Sequence, residues 1–440
     1  MTEQVKFRTY SQAVHQIVGL FQDGRLKLEP PFQRRGVWNT KQRIHLMRSI
    51  FQGYPIPSIF VYRHEDEGTG MVVFDVIDGK QRIESLLMYM GHKPGRFSAP
   101  IQLPGWEEPR ELNWQQLRKQ KKQSRLEEYQ VQTIEVEGSL SDIIELFVRI
   151  NSTGKALTPQ EIRNARFYTS DYLKASKKLA TKYEAYFRHT GVFGAQQILR
   201  MKHIELMSEL IYSANLGGVG NKKRVLDAAM RSDELKGARL HKAVAITTKS
   251  LNRLRTMFPD LNQSIRFSKV SDFYSLSVLI QTFEAKGMVL SDKKRNSLAW
   301  EILTAFSVGV DSLAVASRKL ELKTLSPRDE LLRQYLSAVR ADSDSESSRQ
   351  KRHGILEGLL LPLFEKKDQQ RLFSPAQRRI LWNSAEERVC AECGCTLDWS
   401  DFHADHIKPY TLGGKTVLDN AAILCVAHNL AKGKKLRKTA

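Results

Sequence analysis

The chain has 440 residues, which is enough for two or three domains. Its 69 Lys and Arg residues outnumber 48 Asp and Glu residues, so the formal net charge is +21 and the pI is about 9.7. This excess favours an anionic partner such as nucleic acid. The presence of four cysteines favours a protein of the reducing cytoplasm over a disulfide-rich secreted protein. The first ten residues are too polar for a secretory signal. No apolar run is long enough to span a membrane.

The first motif lies between residues 31 and 82. A Pro-led loop carries Gln33, Arg34, Arg35 and Trp38, and a predicted helix follows from Thr40 to Phe51. A predicted strand from Met71 to Ile77 ends at an Asp78-Gly79 turn, and an amphipathic helix begins at about Gln81. Basic side chains and the backbone N–H groups at this helix start are suited to binding an anion.

These residues resemble the GmrS-like domain of GmrSD modification-dependent restriction enzymes. The signature Ile-Asp-Gly-Gln-Gln-Arg corresponds here to Ile77–Arg82, with Lys80 in place of the first Gln. Two further matches, PFQRRGVW and LFVRINSTGKALTPQEIRNARF, extend the resemblance over about residues 8–168. The resemblance implies a ParB/sulfiredoxin-like fold with nucleotide binding or hydrolysis, at a site formed by Asp78, Gly79, Lys80, Gln81, Arg82, Arg34 and Asn151.

A purely structural interpretation of the same segments stays open. An Asp-Gly turn before a helix is common, and Arg82 could pair with Glu84 or Asp75. Thr158-Pro159-Gln160-Glu161 has the composition of a capped helix start, with Thr as the cap and Pro in the first turn.

The middle of the chain, residues 170–340, has helical apolar spacing. Over residues 170–260 seventeen Lys and Arg stand against eight Asp and Glu, which indicates either a solvated face or a phosphate-contacting surface. The aromatic residues Tyr172, Tyr183, Tyr186 and Phe187 are predicted to be core. Residues 341–352 are polar and unpatterned and are predicted to be a linker, and a helical hairpin is expected over about 353–385.

The most informative stretch is C-terminal. Cys390-x-x-Cys393 and Cys425-x-x-His428 have the spacing of a four-ligand zinc site, and Cys395 is expected to be a non-ligand packing residue. Between and beside these pairs stand Asp405-His406, Asn420 and Asn429. Carboxylate and amide oxygens suit a hard cation such as Mg²⁺ or Mn²⁺, whereas thiolates suit zinc.

This segment resembles a zinc-stapled HNH (ββα-metal) endonuclease over about residues 388–436. The resemblance implies that Asp405 and Asn429 hold a catalytic divalent metal, that His406 is the general base, and that Asn420 orients His406 and the loop. It also implies that Cys390, Cys393, Cys425 and His428 bind structural zinc, with His428 replacing the commoner Cys. His403 is either a DNA-contacting group or an exposed strand residue.

We therefore expect an α+β multidomain protein: a GmrS-like domain over 1–168, a basic helical domain over 169–340, a linker over 341–352, and a lead-in with the HNH domain over 353–440. The two resemblances imply a cytoplasmic, metal-dependent DNA endonuclease of an anti-phage restriction system. A nucleoside triphosphate would regulate it, and its partner would be modified or foreign DNA. A second copy of the chain, in a homo-oligomer, is a further partner left open. The alternative functions are a DNA-binding regulator with a silent HNH domain, a nicking or repair enzyme and an RNA-directed nuclease.

Overall fold

The computed structural model describes residues 5–30, 38–66, 68–103, 105–152, 157–232, 234–318, 327–340 and 343–432. The chain divides into two compact units. The first comprises Met1–Lys177 and Phe193–Glu205, and the second comprises Lys178–Val192 and Leu206–Ala440. The expected loop residues Gln33, Arg34 and Arg35 lie outside the described residues.

The first unit contains a mixed five-stranded sheet. Its strands and those of a small separate hairpin are β1 (Lys6–Ala13), β2 (Leu26–Lys27), β3 (Ile59–Glu65), β4 (Val72–Asp78), β5 (Ala99–Ile101), β6 (Arg110–Leu112) and β7 (Gln130–Glu137). The main sheet has the order β1-β7-β3-β4-β2, and β5 pairs with β6. The β1–β7 and β3–β4 pairs are antiparallel, whereas the β3–β7 and β2–β4 pairs are parallel.

Helices cover both faces of this sheet. They are α1 (Val14–Gln22), α2 (Thr40–Phe51), α3 (Lys80–Met90), α4 (Trp114–Lys119), α5 (Ser124–Glu127), α6 (Leu140–Ser152) and α7 (Pro159–Arg166). Val76 of β4 belongs to the core formed with α1, α2 and α3, whereas Ile77 belongs to a second core that contains residues of α6 and α7. Burial on both faces explains why β4 is almost continuously apolar.

The boundary of the first unit differs from the predicted one at residue 168, because buried ion pairs attach a later segment to α7. Glu161 of α7 pairs with Arg200 at 2.9 Å, and Arg163 pairs with Glu205 at 3.0 Å. Thr158 caps α7 by accepting from the backbone N–H of Glu161, as the sequence predicted. Thr158, Glu161 and Arg163 therefore have a structural role in joining these segments.

The second unit is mainly helical, as predicted for the middle of the chain. The helices from residue 171 onward are α8 (Asp171–His189), α9 (Ala195–Leu199), α10 (Lys202–Leu216), α11 (Lys222–Ser232), α12 (Gly237–Met257), α13 (Val270–Ala285), α14 (Lys293–Arg318), α15 (Pro327–Arg340) and α16 (Glu346–Leu360). The first residues of α8, the whole of α9 and the start of α10 belong to the first unit. Helix α13 is buried on most of its surface, and the four predicted core aromatics of α8 are buried.

The predicted linker over 341–352 is wrong for residues 346–352, which form the first half of α16. Arg349 pairs with the buried Glu209, and its guanidinium lies 3.9 Å from the Tyr274 ring centroid. Arg352 donates to Ser275 Oγ at 3.0 Å and to the Ala338 carbonyl at 2.8 Å. These two arginines are buried and hydrogen-bonded, although a sequence pattern does not distinguish them from the exposed polar residues around them.

One segment, Lys293–Val315 of α14, is long and apolar enough to cross a membrane by length and composition alone, contrary to the expectation of no such run. This is weak evidence for a membrane, because core helices pass the same criterion. Asp311 of this segment accepts from Arg266 at 2.9 Å, and Leu303 and Val310 are fully buried. These contacts are those of a packed helix.

The C-terminal module consists of α17 (Pro375–Ser384), β8 (Phe402–His406), β9 (Ala421–Cys425) and α18 (Val426–Lys432). Strands β8 and β9 form an antiparallel hairpin in which Phe402 faces Cys425 and His406 faces Ala421. Its small core contains Trp382, Cys390, Leu397, Phe402, Ile423 and Leu424. The expected lead-in helices are α16 and α17, with residues 364–374 between α17 and the short 3-10 turn after α16.

Candidate active site and metal centre

Three cysteines and one histidine converge in the C-terminal module. The ligand atoms of Cys390, Cys393, Cys425 and His428 all lie within 4.8 Å of one another. His428 directs Nδ1 toward the sulfurs of Cys425, at 3.2 Å, and Cys390, at 3.8 Å. Cys425 ends β9 and His428 lies in the first turn of α18, so the hairpin-to-helix connection supplies half of the set.

The donor set fits zinc. Zinc binds thiolates and imidazole tetrahedrally, and its cysteine ligands must be deprotonated. Burial raises the pKa of Cys390, but hydrogen bonds from the backbone of Cys425 and Cys393 outweigh burial and bring the pKa to about 6. The cluster is therefore consistent with a structural zinc site. Cys395 is exposed, which does not fit the expected packing role, and its sulfur lies 3.3 Å from that of Cys393.

A cleft of about 340 Å³ lies beside this cluster. It is lined by Arg371, Leu372, Phe373, His403, Ala404, Asp405, His406, Pro409, Tyr410, Thr411 and Asn429. Asp405 and His406 come from the end of β8, and Asn429 comes from α18. The hairpin and helix thus bring together the three cleft residues that were expected to carry the chemistry. In the sequence, Asn429 lies 22 positions beyond Ile407, which directly follows His406.

His406 is only 6% exposed. Its Nε2 lies 2.9 Å from Thr416 Oγ1, and its ring lies 4.7 Å from the Phe373 ring and 5.9 Å from the Tyr410 ring, measured between centroids. The imidazole is therefore held by aromatic packing on the ring and by one hydroxyl at its edge. His403, two residues earlier on β8, is exposed at the same cleft.

Asn420 organises the loop between the hairpin strands. Its Oδ1 accepts from the Lys408 backbone N–H at 2.8 Å, and its Nδ2 donates to the carbonyls of Lys408 at 3.2 Å and Lys415 at 2.8 Å. The expected role in holding the loop fits these contacts. At the edge of the His406 ring, Nε2 is hydrogen-bonded to Thr416 Oγ1.

No sequence motif pointed to Thr416 or to the residues that hold it. The Thr416 backbone N–H donates to Asp368 Oδ2 at 2.9 Å, and its carbonyl accepts from Gln377 Nε2 at 2.8 Å. Thr416 Oγ1 donates to the Gln370 carbonyl. The available signal was local, since Thr416 follows the Gly413-Gly414 pair by two residues, but nothing in the pattern links position 416 to positions 368–377.

In the first unit, β4 leads through Gly79 into α3, close to the predicted boundaries. Gly79 has φ +93°, and a Cβ there would lie 2.5 Å from Ile59 Cγ2, so only glycine fits. Arg82 donates to Asp78 Oδ2 at 2.6 Å and to the Ser58 carbonyl at 3.0 Å. The partner of Arg82 is therefore Asp78, and neither Glu84 nor Asp75 takes that place.

The other predicted nucleotide-site residues also make internal contacts. Lys80 is 7% exposed and lies 3.5 Å from Glu29, and burial lowers the pKa of Lys80 despite the nearby Glu84 and Glu29. Gln81 Oε1 accepts from the Trp38 backbone N–H at 2.9 Å. Asn151 Nδ2 donates to the Phe147 carbonyl of its own helix at 2.8 Å. Arg34 lies outside the described residues.

A separate cavity of about 540 Å³ lies beyond the other end of α3. Its lining combines aromatic and cationic side chains, including Tyr89, Phe97, Trp114, Arg96 and Arg118. Arg96 and Arg118 are exposed, whereas Tyr89 is buried and donates its hydroxyl proton to the Leu112 carbonyl at 3.0 Å. No sequence motif pointed to this cavity.

Two comparisons with protein families agree with this geometry. The chain matches the GmrSD restriction endonuclease N-terminal domain over residues 17–168 and the HNH endonuclease family over residues 390–435. No curated protein matches the chain. The HNH match spans the Cys/His cluster and all the expected catalytic residues.

These matches identify two domains of the chain, each by its own region. The chain joins the N-terminal domain of the GmrSD type to an HNH domain that carries a Cys/His cluster. The HNH domain implies phosphodiester hydrolysis with a divalent metal, and the match to a domain of restriction endonucleases points to DNA as the substrate.

Proposed function

We propose that the cleft between β8 and α18 is the active site of a metal-dependent DNA endonuclease. The observation that carries this is the convergence of Asp405, His406 and Asn429 on one cleft. Asp405 and Asn429 offer a carboxylate and an amide oxygen, which are ligands that Mg²⁺ or Mn²⁺ accepts. Bound there, the cation would stabilise negative charge on the phosphate and the leaving oxygen.

His406 acts as the general base in this proposal. Neutral imidazole near physiological pH accepts the proton of the attacking water, and the ring is fixed by its contacts with Thr416 and Phe373. Asn420 keeps the loop from Lys408 to Lys415 closed, so that Pro409, Tyr410 and Thr411 form one wall of the cleft. The Cys/His cluster holds structural zinc and fixes the position of α18 relative to β9.

The test is cleavage of plasmid DNA by purified His406→Ala and His403→Ala proteins with Mg²⁺ or Mn²⁺. Loss of a general base typically costs about 10²–10⁴-fold in rate, so His406→Ala should lose cleavage while DNA binding is retained. His403 is the matched control, because it lies exposed on the same strand and cleft. Wild-type cleavage by His406→Ala would disprove the assignment, and an inactive wild type would favour a silent DNA-binding module.

The finer identity is also a proposal. We infer that the substrate is modified or foreign DNA, including phage DNA, and that the enzyme works in the reducing cytoplasm, where its cysteines remain thiols. The support is the N-terminal match to a family of restriction endonucleases and the free state of all four cysteines. The mixed sheet with helices on both faces is assigned to a ParB/sulfiredoxin-like fold. Comparing plasmid, modified phage DNA and RNA as substrates tests the DNA assignment directly.

We further propose that a nucleoside triphosphate binds the turn at Asp78–Arg82 and shifts the balance between a restrained and a cutting state. The N-terminal end of α3 and the two cations Lys80 and Arg82 support this. A ligand acts only through different affinities for the two states, typically about 1–3 kcal/mol. Because Asp78 pairs with Arg82, Asp78→Ala should alter hydrolysis as well as binding.

Calorimetry with ATP and GTP, with and without DNA, measures this binding. Arg82→Ala should abolish it and remove any nucleotide effect on cutting, whereas Arg118→Ala in the separate cavity should bind normally. Loss of binding in Arg118→Ala alone would place the nucleotide in the cavity lined by Tyr89 and Trp114. Absence of binding in the wild type would contradict nucleotide regulation altogether.

A further inference from the structure

The Thr416 hydroxyl connects the imidazole of His406 to a backbone carbonyl. Thr416 Oγ1 lies 2.9 Å from His406 Nε2 and also contacts the Gln370 carbonyl oxygen. A hydroxyl has one proton, and a carbonyl oxygen only accepts, so the proton of Thr416 goes to Gln370. Thr416 Oγ1 must therefore accept from His406 Nε2–H.

The backbone N–H and carbonyl of Thr416 are both hydrogen-bonded to side chains. Its N–H donates to Asp368 Oδ2 at 2.9 Å, its carbonyl accepts from Gln377 at 2.8 Å, and the residue is 4% exposed. The backbone N–H groups of Thr416 and Gln370 hold the pKa of Asp368 below its usual range. Asp368 therefore remains an ionised acceptor near neutral pH and keeps this anchor intact.

The segment 365–370 that carries this anchor is also attached to residues 287–289, which follow α13, and to Arg295 of α14. The Val289 N–H donates to the Glu365 carbonyl at 2.8 Å, and the Lys367 N–H donates to the Gly287 carbonyl at 2.9 Å. Arg295 pairs with Glu365 at 2.7 Å. Since the HNH match begins at residue 390, this segment lies outside the matched region.

We propose that Thr416 is a positioning residue for the nuclease reaction, and that the segment 365–370 anchors it from outside the HNH domain. Thr416 fixes the rotation of the His406 ring within the cleft through the contact between Nε2 and Oγ1. The helical region thereby contributes to the active site through residues 287–289, which hold segment 365–370 in place. This inference rests on the proposed role of His406 as general base.

The test uses full-length Thr416→Val and Thr416→Ser proteins and measures kcat and KM for plasmid cleavage with Mg²⁺. Valine keeps the shape but removes the acceptor, so kcat should fall about 10–100-fold, the size of the loss when a metal-binding histidine loses its hydrogen-bond partner. KM should not change, because Thr416 contacts the histidine rather than the substrate. Serine restores the hydroxyl and should recover most of kcat.

A merely structural role would lower zinc content or thermal stability and would leave serine and valine equally impaired, which would overturn the proposal. So would wild-type kcat in Thr416→Val. If valine prevents folding, Asp368→Ala provides the second variant, since it removes the anchor and keeps Thr416. It too should lower kcat at constant KM, and unchanged kcat would overturn the anchoring step.

A double-mutant cycle tests whether Asp368 acts through Thr416. The two substitutions together should cost less than the product of their separate fold-changes, because both break one chain of hydrogen bonds. Fully multiplicative losses would overturn the anchoring step. His406→Ala separates the positioning role of Thr416 from the proposed nuclease function. If His406→Ala is inactive while Thr416→Val is fully active, only the positioning role fails. If His406→Ala is active, the proposed function fails as well.

Discussion

At the scale of single residues, the clearest constraint in the active site is Gly414. A Cβ at this position would lie 1.7 Å from the Lys408 carbonyl oxygen, which is impossible without moving the backbone. The glycine pair at 413–414 therefore allows the loop to fold back on itself, and Asn420 then joins Lys408 to Lys415. The loop in turn presents Tyr410 and Thr411 to the cleft.

Gly414→Ala should therefore destabilise the C-terminal module and reduce cleavage. A clash in a well-packed site typically costs about 1–3 kcal/mol, and the displaced loop would also disturb the cleft. Thermal unfolding and the cleavage rate measure both effects. Gly218→Ala is the matched control, since a Cβ there meets no atom within 4 Å. Equal behaviour of the two variants would show that the loop tolerates a side chain.

At the scale of elements, the β8–β9 hairpin and α18 depend on a small core. Six buried residues, including the ligand Cys390, form that core. Small modules with so little apolar burial commonly need a metal for stability. The spacing of the Cys/His pairs was sufficient to predict the cluster, because Cys-x-x-Cys and Cys-x-x-His turns place their ligands locally and the hairpin brings the two turns together.

Cys393→Ser should lose zinc and unfold the C-terminal module, while the N-terminal unit remains folded. Elemental analysis and limited proteolysis of the purified protein measure the two parts of this expectation. Cys395→Ser is the matched control, because Cys395 is exposed and outside the four-ligand cluster, so it should retain zinc. Zinc loss in Cys395→Ser but not in Cys393→Ser would mean that the ligand set is assigned incorrectly.

At the scale of the whole molecule, the charge of +21 is the main feature. Several cations of the helical region already have acidic partners; Lys249 and Arg253, for example, both pair with Glu284. Arg239 and Lys242 of α12 are exposed and lie three residues apart on one helix face. This face is a candidate for contact with DNA phosphates.

Reversing both charges, in Arg239→Glu/Lys242→Glu, should weaken DNA binding and reduce its dependence on salt. Each lost phosphate contact lowers the slope of log K against log salt by about 0.9. Titrations at several salt concentrations measure the slope. Lys119→Glu/Lys122→Glu makes the same charge change in the N-terminal unit, so an equal effect there would show that overall charge, rather than the α12 face, controls binding.

Local sequence patterns were sufficient to predict many of the structural elements and candidate site residues of this protein. Short stretches of sequence encode several of its features, because turns, helix caps and metal-binding turns depend on neighbouring residues. These features are the strand from Val72, the glycine turn, the cap at Thr158, the helical middle, the Cys/His spacing and the Asp405-His406 pair. The family matches confirm the two resemblances that these stretches carried.

Only the tertiary structure decided the long-range contacts. Arg349 and Arg352 look like linker residues in sequence, yet both are buried. Arg349 contacts Glu209 and Arg352 contacts Ser275, and each partner is more than seventy residues away along the chain. Thr416 reaches His406 and Asp368 because the loop closes and segment 365–370 lies against it. Partners for buried polar groups are selected by three-dimensional proximity, which residue spacing along the chain does not record.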